Sequence, residues 1–173
     1  MIKKLSKEAQ EKKAINEAWK KLSRDFSWTE SMLEKYQDIV DWHEISLNWY
    51  MAWTIPMVHK FKDRIDWSAL CMHPSENLMT ETFLDTFKDE LDWSELSFSF
   101  SKKLTDELLV KFADKWDWGE IIDYGGCELF REKGIDFYER YKDYIPLKNL
   151  YQSRLWDEII AQKKAQLIEE ITG

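Results

Sequence analysis

Thr80-Glu81-Thr82-Phe83-Leu84-Asp85-Thr86-Phe87-Lys88-Asp89-Glu90-Leu91-Asp92-Trp93-Ser94-Glu95-Leu96 is written five times along this 173-residue chain, with variations. Close copies run from Thr54 to Leu70 and from Thr105 to Ile121. Looser ones run from Thr29 to Ile45 and from Gly134 to Leu150. Apolar residues fall at the fourth, fifth and eighth places (Phe83, Leu84, Phe87; Met57, Val58, Phe61), which is helical spacing and not strand alternation.

The polar residues mark where those helices begin and end. Thr29, Thr54, Thr80 and Thr105 are good N-caps, and an acid just inside (Glu30, Glu81, Asp106) complements the positive end of the helix dipole. The first helix of each copy should end near Asp38, Asp63, Asp89, Asp114 or Asp143, because Asp is poor in a helix interior. Three residues on, Asp41, Asp66, Asp92 and Asp117 read as N-caps of a second, shorter helix. Glu44, Glu95 and Glu120 stand where a capping box would use them. In the fifth copy Pro146 takes the Asp place, which a helix start tolerates. Two helices this short cannot bury a stripe alone. Trp42, Trp67, Trp93 and Trp118, with Ile45, Leu70, Leu96 and Ile121 three residues on, are therefore expected to pack against the neighbouring copy. Leu147 replaces the fifth tryptophan, and the anchors are spaced by 25, 26, 25 and 29 residues.

The expected fold is all-α: a stack of about five short helix-turn-helix repeats, α-solenoid-like, with a capping helix at each end, forming a single domain over 1–173. Residues 1–26 would hold the N-terminal cap, 27–151 the repeats and 152–173 the C-terminal cap. The first helix, capped near Ser6, lacks the repeat motif and carries an apolar stripe of Ala14, Ile15, Ala18, Trp19 and Leu22 opposite a basic face. The last runs from about Leu155 to Glu170 with Trp156, Ile159, Ile160, Leu167 and Ile168 on one side.

Composition narrows the function. The chain is 44% hydrophobic, 15% aromatic and 34% charged, which argues against disorder. No apolar run approaches the roughly 18 residues that span a bilayer, and Met1 to Lys7 has basic residues without the apolar segment of a signal peptide, so a cytoplasmic protein is expected. Cys71 and Cys127 suit a reducing compartment. The net charge of −8 is uneven: residues 1–24 carry eight basic and three acidic side chains, and residues 25–101 carry five and fifteen. Such an acidic body is unsuited to binding nucleic acid phosphates and suited to a basic protein surface.

No catalytic signature emerges. Gly125-Gly126 lacks the Lys-Ser/Thr of a phosphate loop. Cys71-Met72-His73 supplies two metal ligands without two more at a fitting spacing, and Cys71 reads better as a small buried residue than as a nucleophile. Paired aspartates such as Asp89 and Asp92 recur with the helix boundaries, so capping accounts for them. No enzyme, cofactor or metal site is expected.

What varies between copies is the connector from the short helix to the next cap, and it is aromatic: Trp49, Tyr50 and Trp53, then Phe98 and Phe100, then Tyr124. These six are the candidate partner-binding residues. The copies Phe61-Lys62-Asp63-Arg64-Ile65-Asp66-Trp67 and Phe87-Lys88-Asp89-Glu90-Leu91-Asp92-Trp93 resemble a tandem motif of uncharacterised bacteriophage and large-DNA-virus proteins. The resemblance covers roughly residues 29–150, and the fifth copy departs from it at Pro146 and Leu147. It implies a viral origin and a host-directed role. The leading expectation is a non-catalytic protein-interaction module that binds and inhibits a host protein in the host cytoplasm. The alternatives are a nucleic acid mimic, interrupted by Lys35, Lys60 and Lys62, and a small-ligand binder with a pocket between Trp49 and Trp53.

Overall fold

Each cap residue that the repeat prescribes is in use in the computed structural model, which describes residues 6–72, 78–100 and 104–173. Among the described residues the chain is helical, with no strand. In order, the helices are α1 (Lys7–Asp25), α2 (Glu30–Tyr36), α3 (Trp42–Ser46), α4 (Ile55–Phe61), α5 (Trp67–Met72), α6 (Glu81–Thr86), α7 (Trp93–Ser99), α8 (Asp106–Lys111) and α9 (Trp118–Glu120). A π-helical turn (Ile121–Gly125) follows, then α10 (Cys127–Phe130), α11 (Gly134–Tyr141), α12 (Leu147–Leu150) and α13 (Arg154–Thr172). They divide into two compact units, Met1–Leu91 and Asp92–Gly173, so the third copy contributes α6 to one and α7 to the other.

Thr29, Thr54, Thr80 and Thr105 cap α2, α4, α6 and α8, each side chain accepting the backbone N–H three residues on. Asp41, Asp66, Asp92 and Asp117 accept the same kind of bond at the starts of α3, α5, α7 and α9. The first helices end two or three residues before the predicted Asp, at Tyr36, Phe61, Thr86 and Lys111. At the ends of α2, α4 and α8 an indole N–H from the following anchor tryptophan caps the chain. Trp42 donates to the Gln37 carbonyl at 2.8 Å, Trp67 to Lys62 at 3.1 Å and Trp118 to Ala113 at 2.8 Å, satisfying carbonyls that a helix C-terminus leaves open.

The residue before each Thr is apolar and buried: Trp28, Trp53, Met79 and Leu104. This is the N′ place, from which a side chain can staple the entering chain to its helix.

The tryptophans also meet the next copy through one repeated contact. Trp42 lies on Phe61 (centroids 5.3 Å apart, rings inclined by 40°) and Trp67 on Phe87 (5.4 Å, 43°). Trp93 lies on Phe112 (5.2 Å, 39°) and Trp118 on Tyr141 (5.2 Å, 36°). The partner is always the eighth residue of the following copy. Trp19 of α1 makes the same contact with Tyr36, the eighth residue of the first copy, at 5.7 Å and 40°. The N-terminal helix therefore does carry half of the repeat.

After Trp19, Trp42 and Trp93 a hydroxyl four residues on completes the joint; Cys71 holds that place after Trp67. Ser23 donates to the Trp19 carbonyl and accepts the Asp41 backbone N–H at 2.9 Å. Ser46 does so between Trp42 and Asp66, and Ser97 between Trp93 and Asp117, with N–H···O distances of 3.0 and 2.9 Å. This corrects the capping-box expectation, because the N–H that Glu44 or Glu120 would have taken belongs to a serine. At the fifth copy both partners are missing together: Ile122 stands at the serine place, and Pro146 has no N–H to give.

The terminal helices are less buried than their stripes imply. In α1, Ala14, Ile15 and Ala18 are exposed and Leu22 is 45% exposed; the helix docks through Trp19 and Ser23 near its C-terminal end. In α13, Leu155 and Ile159 are buried and Trp156 partly so, while Ile160, Leu167 and Ile168 are exposed. Gly134 opens α11 where a Cβ would lie 2.9 Å from both Glu158 Cβ and the Ile159 backbone nitrogen, so α11 and α13 meet there at backbone range.

Replacing Ser46 by Ala leaves the Asp66 N–H without its acceptor, which costs about 1–3 kcal/mol. Chemical denaturation should show that loss, and should show the same for Ser97→Ala; an unchanged midpoint for both would mean that the serine joint contributes nothing.

Candidate partner-binding site

The six connector aromatics separate into two groups. Trp49, Tyr50, Phe98 and Tyr124 are exposed, at 71, 63, 53 and 42%, whereas Trp53 and Phe100 are buried at 6 and 5%. Trp53 occupies the stapling place before Thr54, its indole N–H without an acceptor among the described residues. Phe100 closes the end of α7, its backbone N–H bonded to Leu96. Neither presents a face to a partner, and the Trp49–Trp53 pocket is not formed by two accessible rings.

Trp49 and Tyr50 are held outward by a residue that the sequence reading passed over. Asn48 is buried; its amide donates to the Ser23 and Phe26 carbonyls at 2.7 and 2.8 Å, and its oxygen accepts the Tyr50 N–H at 2.7 Å. The connector is thus tied to the end of α1, and the two rings project from a fixed backbone.

Phe98 and Tyr124, from different copies, are brought together. Their rings meet edge to face with centroids 5.4 Å apart. Phe98 comes from the second-to-last residue of α7 and Tyr124 from the π-helical turn after α9, a widened turn of a kind frequent at functional sites. With Ser94, Glu95 and Glu120 they line a cleft of about 340 Å³. Both carboxylates are half-buried, and no basic side chain forms a salt bridge with either among the described residues. Burial and the negative charges of Asp117, Asp123 and Glu95 push the Glu120 carboxyl above its ordinary value. Arg154 lies over the Tyr124 ring, 5.1 Å from its centroid, so that ring already serves one cation.

Comparison with family models, curated proteins and solved structures finds no match to this chain. Among the described residues no helix is long and apolar enough to cross a membrane, and no group of three His, Cys, Asp or Glu side chains could hold a metal ion. Cys71 is buried near the end of α5. His73 and Pro74 lie outside the described residues, as do residues 1–5 and Ser101.

His43 is committed to a structural pair, its Nδ1–H donating to Asp66 at 2.7 Å. That bond, helped by the Ala69 N–H, holds the Asp66 carboxyl below its ordinary value. A carboxylate lowered in the fold stabilises it fully above the unfolded-state value, and the contribution is lost as pH falls through the folded one. Asp66→Asn should therefore lower the melting temperature at pH 6 more than at pH 3; a deficit independent of pH would overturn the assignment.

Exposure decides what each aromatic does. Trp53→Ala and Phe100→Ala should each cost about 3–5 kcal/mol. Phe98→Ser and Tyr124→Ser should melt within about 0.5–1 kcal/mol of the parent, since substitutions at exposed places are mild. Melting curves of the four variants check both halves.

Proposed function

We propose that the chain is a non-catalytic protein-interaction module that binds a basic surface of a partner protein. In this reading successive copies stack within each unit through the tryptophan contact, the α-solenoid-like arrangement that the repeat implies. The stack holds the connectors rigid and leaves their aromatic residues to recognise the partner. The observation that carries the reading is the cleft of Phe98 and Tyr124 over Glu95 and Glu120. Exposed paired aromatics are the residue type that dominates interface energetics, and carboxylates beside them that have no salt bridge among the described residues choose a positive partner. Inhibition of a host protein, which the viral resemblance implies, is the narrower form of this proposal.

The charge arrangement weighs against a nucleic acid mimic. Lys60 pairs with Glu30 and Glu34, and Arg64 with Asp38 at 2.8 Å, so part of the acidic block is neutralised within its own unit. Burial of Trp53 weighs against the small-ligand pocket.

The test is retention from an extract of the natural host on immobilised protein. A partner retained by the parent should bind Phe98→Ser and Tyr124→Ser about 2 kcal/mol more weakly, with melting unchanged. Its retention should fall as salt rises, since exposed charges are screened beyond about 8–10 Å at physiological ionic strength. Equal retention by parent and variants would refute the proposal.

A further inference from the structure

The repeated joint makes places in different copies equivalent, so one copy shows what another lacks. At the first joint Glu44, two residues after Trp42, is 6% exposed and is held by two cations of α1: Lys20 at 3.3 Å and Arg24 at 3.1 Å. Lys20 and Arg24 stand one and five residues after Trp19. At the joint between α7 and α9, Glu120 stands two residues after Trp118, and the places one and five after Trp93 hold Ser94 and Phe98. Those residues line the cleft together. The joints correspond in their bonds as well: Ser23 accepts from Asp41, and Ser97 from Asp117, both at 2.9 Å. The carboxylate is kept, its ammonium and guanidinium are gone, and an exposed ring stands where the arginine was. The raised Glu120 carboxyl agrees with a missing counter-charge.

We infer that the cleft of Ser94, Glu95, Phe98, Glu120 and Tyr124 is a binding site for an arginine side chain of the partner, whose guanidinium takes the place that Arg24 fills at Glu44. This rests on the interaction reading above and gives it a chemistry. Arginine fits better than lysine because its planar fork bonds carboxylates bidentately and stacks on aromatic rings. Arg154 already shows a guanidinium against one of these rings, and it remains outside the five lining residues.

The probes are acetylated, amidated Gly-Arg-Gly, Gly-Lys-Gly and Gly-citrulline-Gly peptides, titrated into the full chain and followed by the ring resonances of Phe98 and Tyr124. The arginine peptide should give saturable shifts and bind more tightly than the lysine peptide, and the citrulline peptide, isosteric and uncharged, should give none. Glu120→Gln should weaken the arginine peptide about tenfold or more, the loss expected for a charged hydrogen bond. Phe98→Arg restores the arrangement of the first joint. It should fill the site from within, abolishing peptide binding while the melting temperature is kept or raised. The inference is overturned if the citrulline or lysine peptide binds as well as the arginine peptide, if no shift saturates, or if a folded Phe98→Arg binds like the parent. If the arginine peptide fails while a partner is still retained through Phe98 and Tyr124, the arginine assignment falls and the interaction module stands.

Discussion

The contact on which each unit depends is a tryptophan laid on the eighth residue of the next copy, locked by a serine after Trp19, Trp42 and Trp93. One side chain does three things at this joint. The tryptophan ring buries area against the neighbour, its N–H closes the helix that precedes it, and its backbone carbonyl takes the serine hydroxyl. The same hydroxyl receives the N–H of the next Asp cap. The rings repeat within 36–43° in all five instances, including Trp67 on Phe87 and Trp118 on Tyr141 where no serine stands four residues on, so ring packing sets the angle and the directional serine bonds reinforce it at the other three. A purely apolar seam would leave more freedom to slide.

A joint of this kind sorts the aromatic residues. Those at repeated offsets are consumed by the core: the anchors, the eighth residues and the N′ residues that include Trp28 and Trp53. The remaining aromatics divide: Phe100 is buried at the end of α7, whereas Trp49, Tyr50 and Tyr124, and Phe98 near the end of α7, are exposed. Asn48 shows how a connector stays ordered, its buried amide meeting two carbonyls and one N–H between the buried Leu47 and Met51. Trp49 and Tyr50 thus project from an ordered backbone, and in the proposed interaction reading that order would lower the entropy cost of binding.

Electrostatics follows the same division. Carboxylates near a joint are either matched within the chain, as Glu44 is by Lys20 and Arg24 and Asp66 is by His43, or left facing a cleft, as Glu95 and Glu120 are. Formal charge alone does not separate these cases. Fifteen acidic residues between 25 and 101 make an acidic block in the sequence, yet several are paired with Lys60, Arg64 or α1.

The sequence by itself determined the helices and their caps, because a cap needs only a side chain reaching a backbone N–H two or three residues away, and local spacing records that reach. Thr29 through Thr105 and Asp41 through Asp117 were legible for this reason. The serine four residues after Trp19, Trp42 and Trp93 and the apolar residue before each threonine stand at fixed offsets too, and are found by aligning the copies beyond their Phe-to-Trp core. Only the tertiary structure decided which stripes would be covered, since burial requires a neighbour: Ile15 and Leu167 have helical spacing and are exposed. It also decided that Phe98 and Tyr124 meet, that Trp53 and Phe100 do not face outward, and that Glu120 has no cation partner among the described residues, unlike Glu44. Those are relations between residues about 20 or more apart, set by how one copy turns against the next, and no local spacing encodes them.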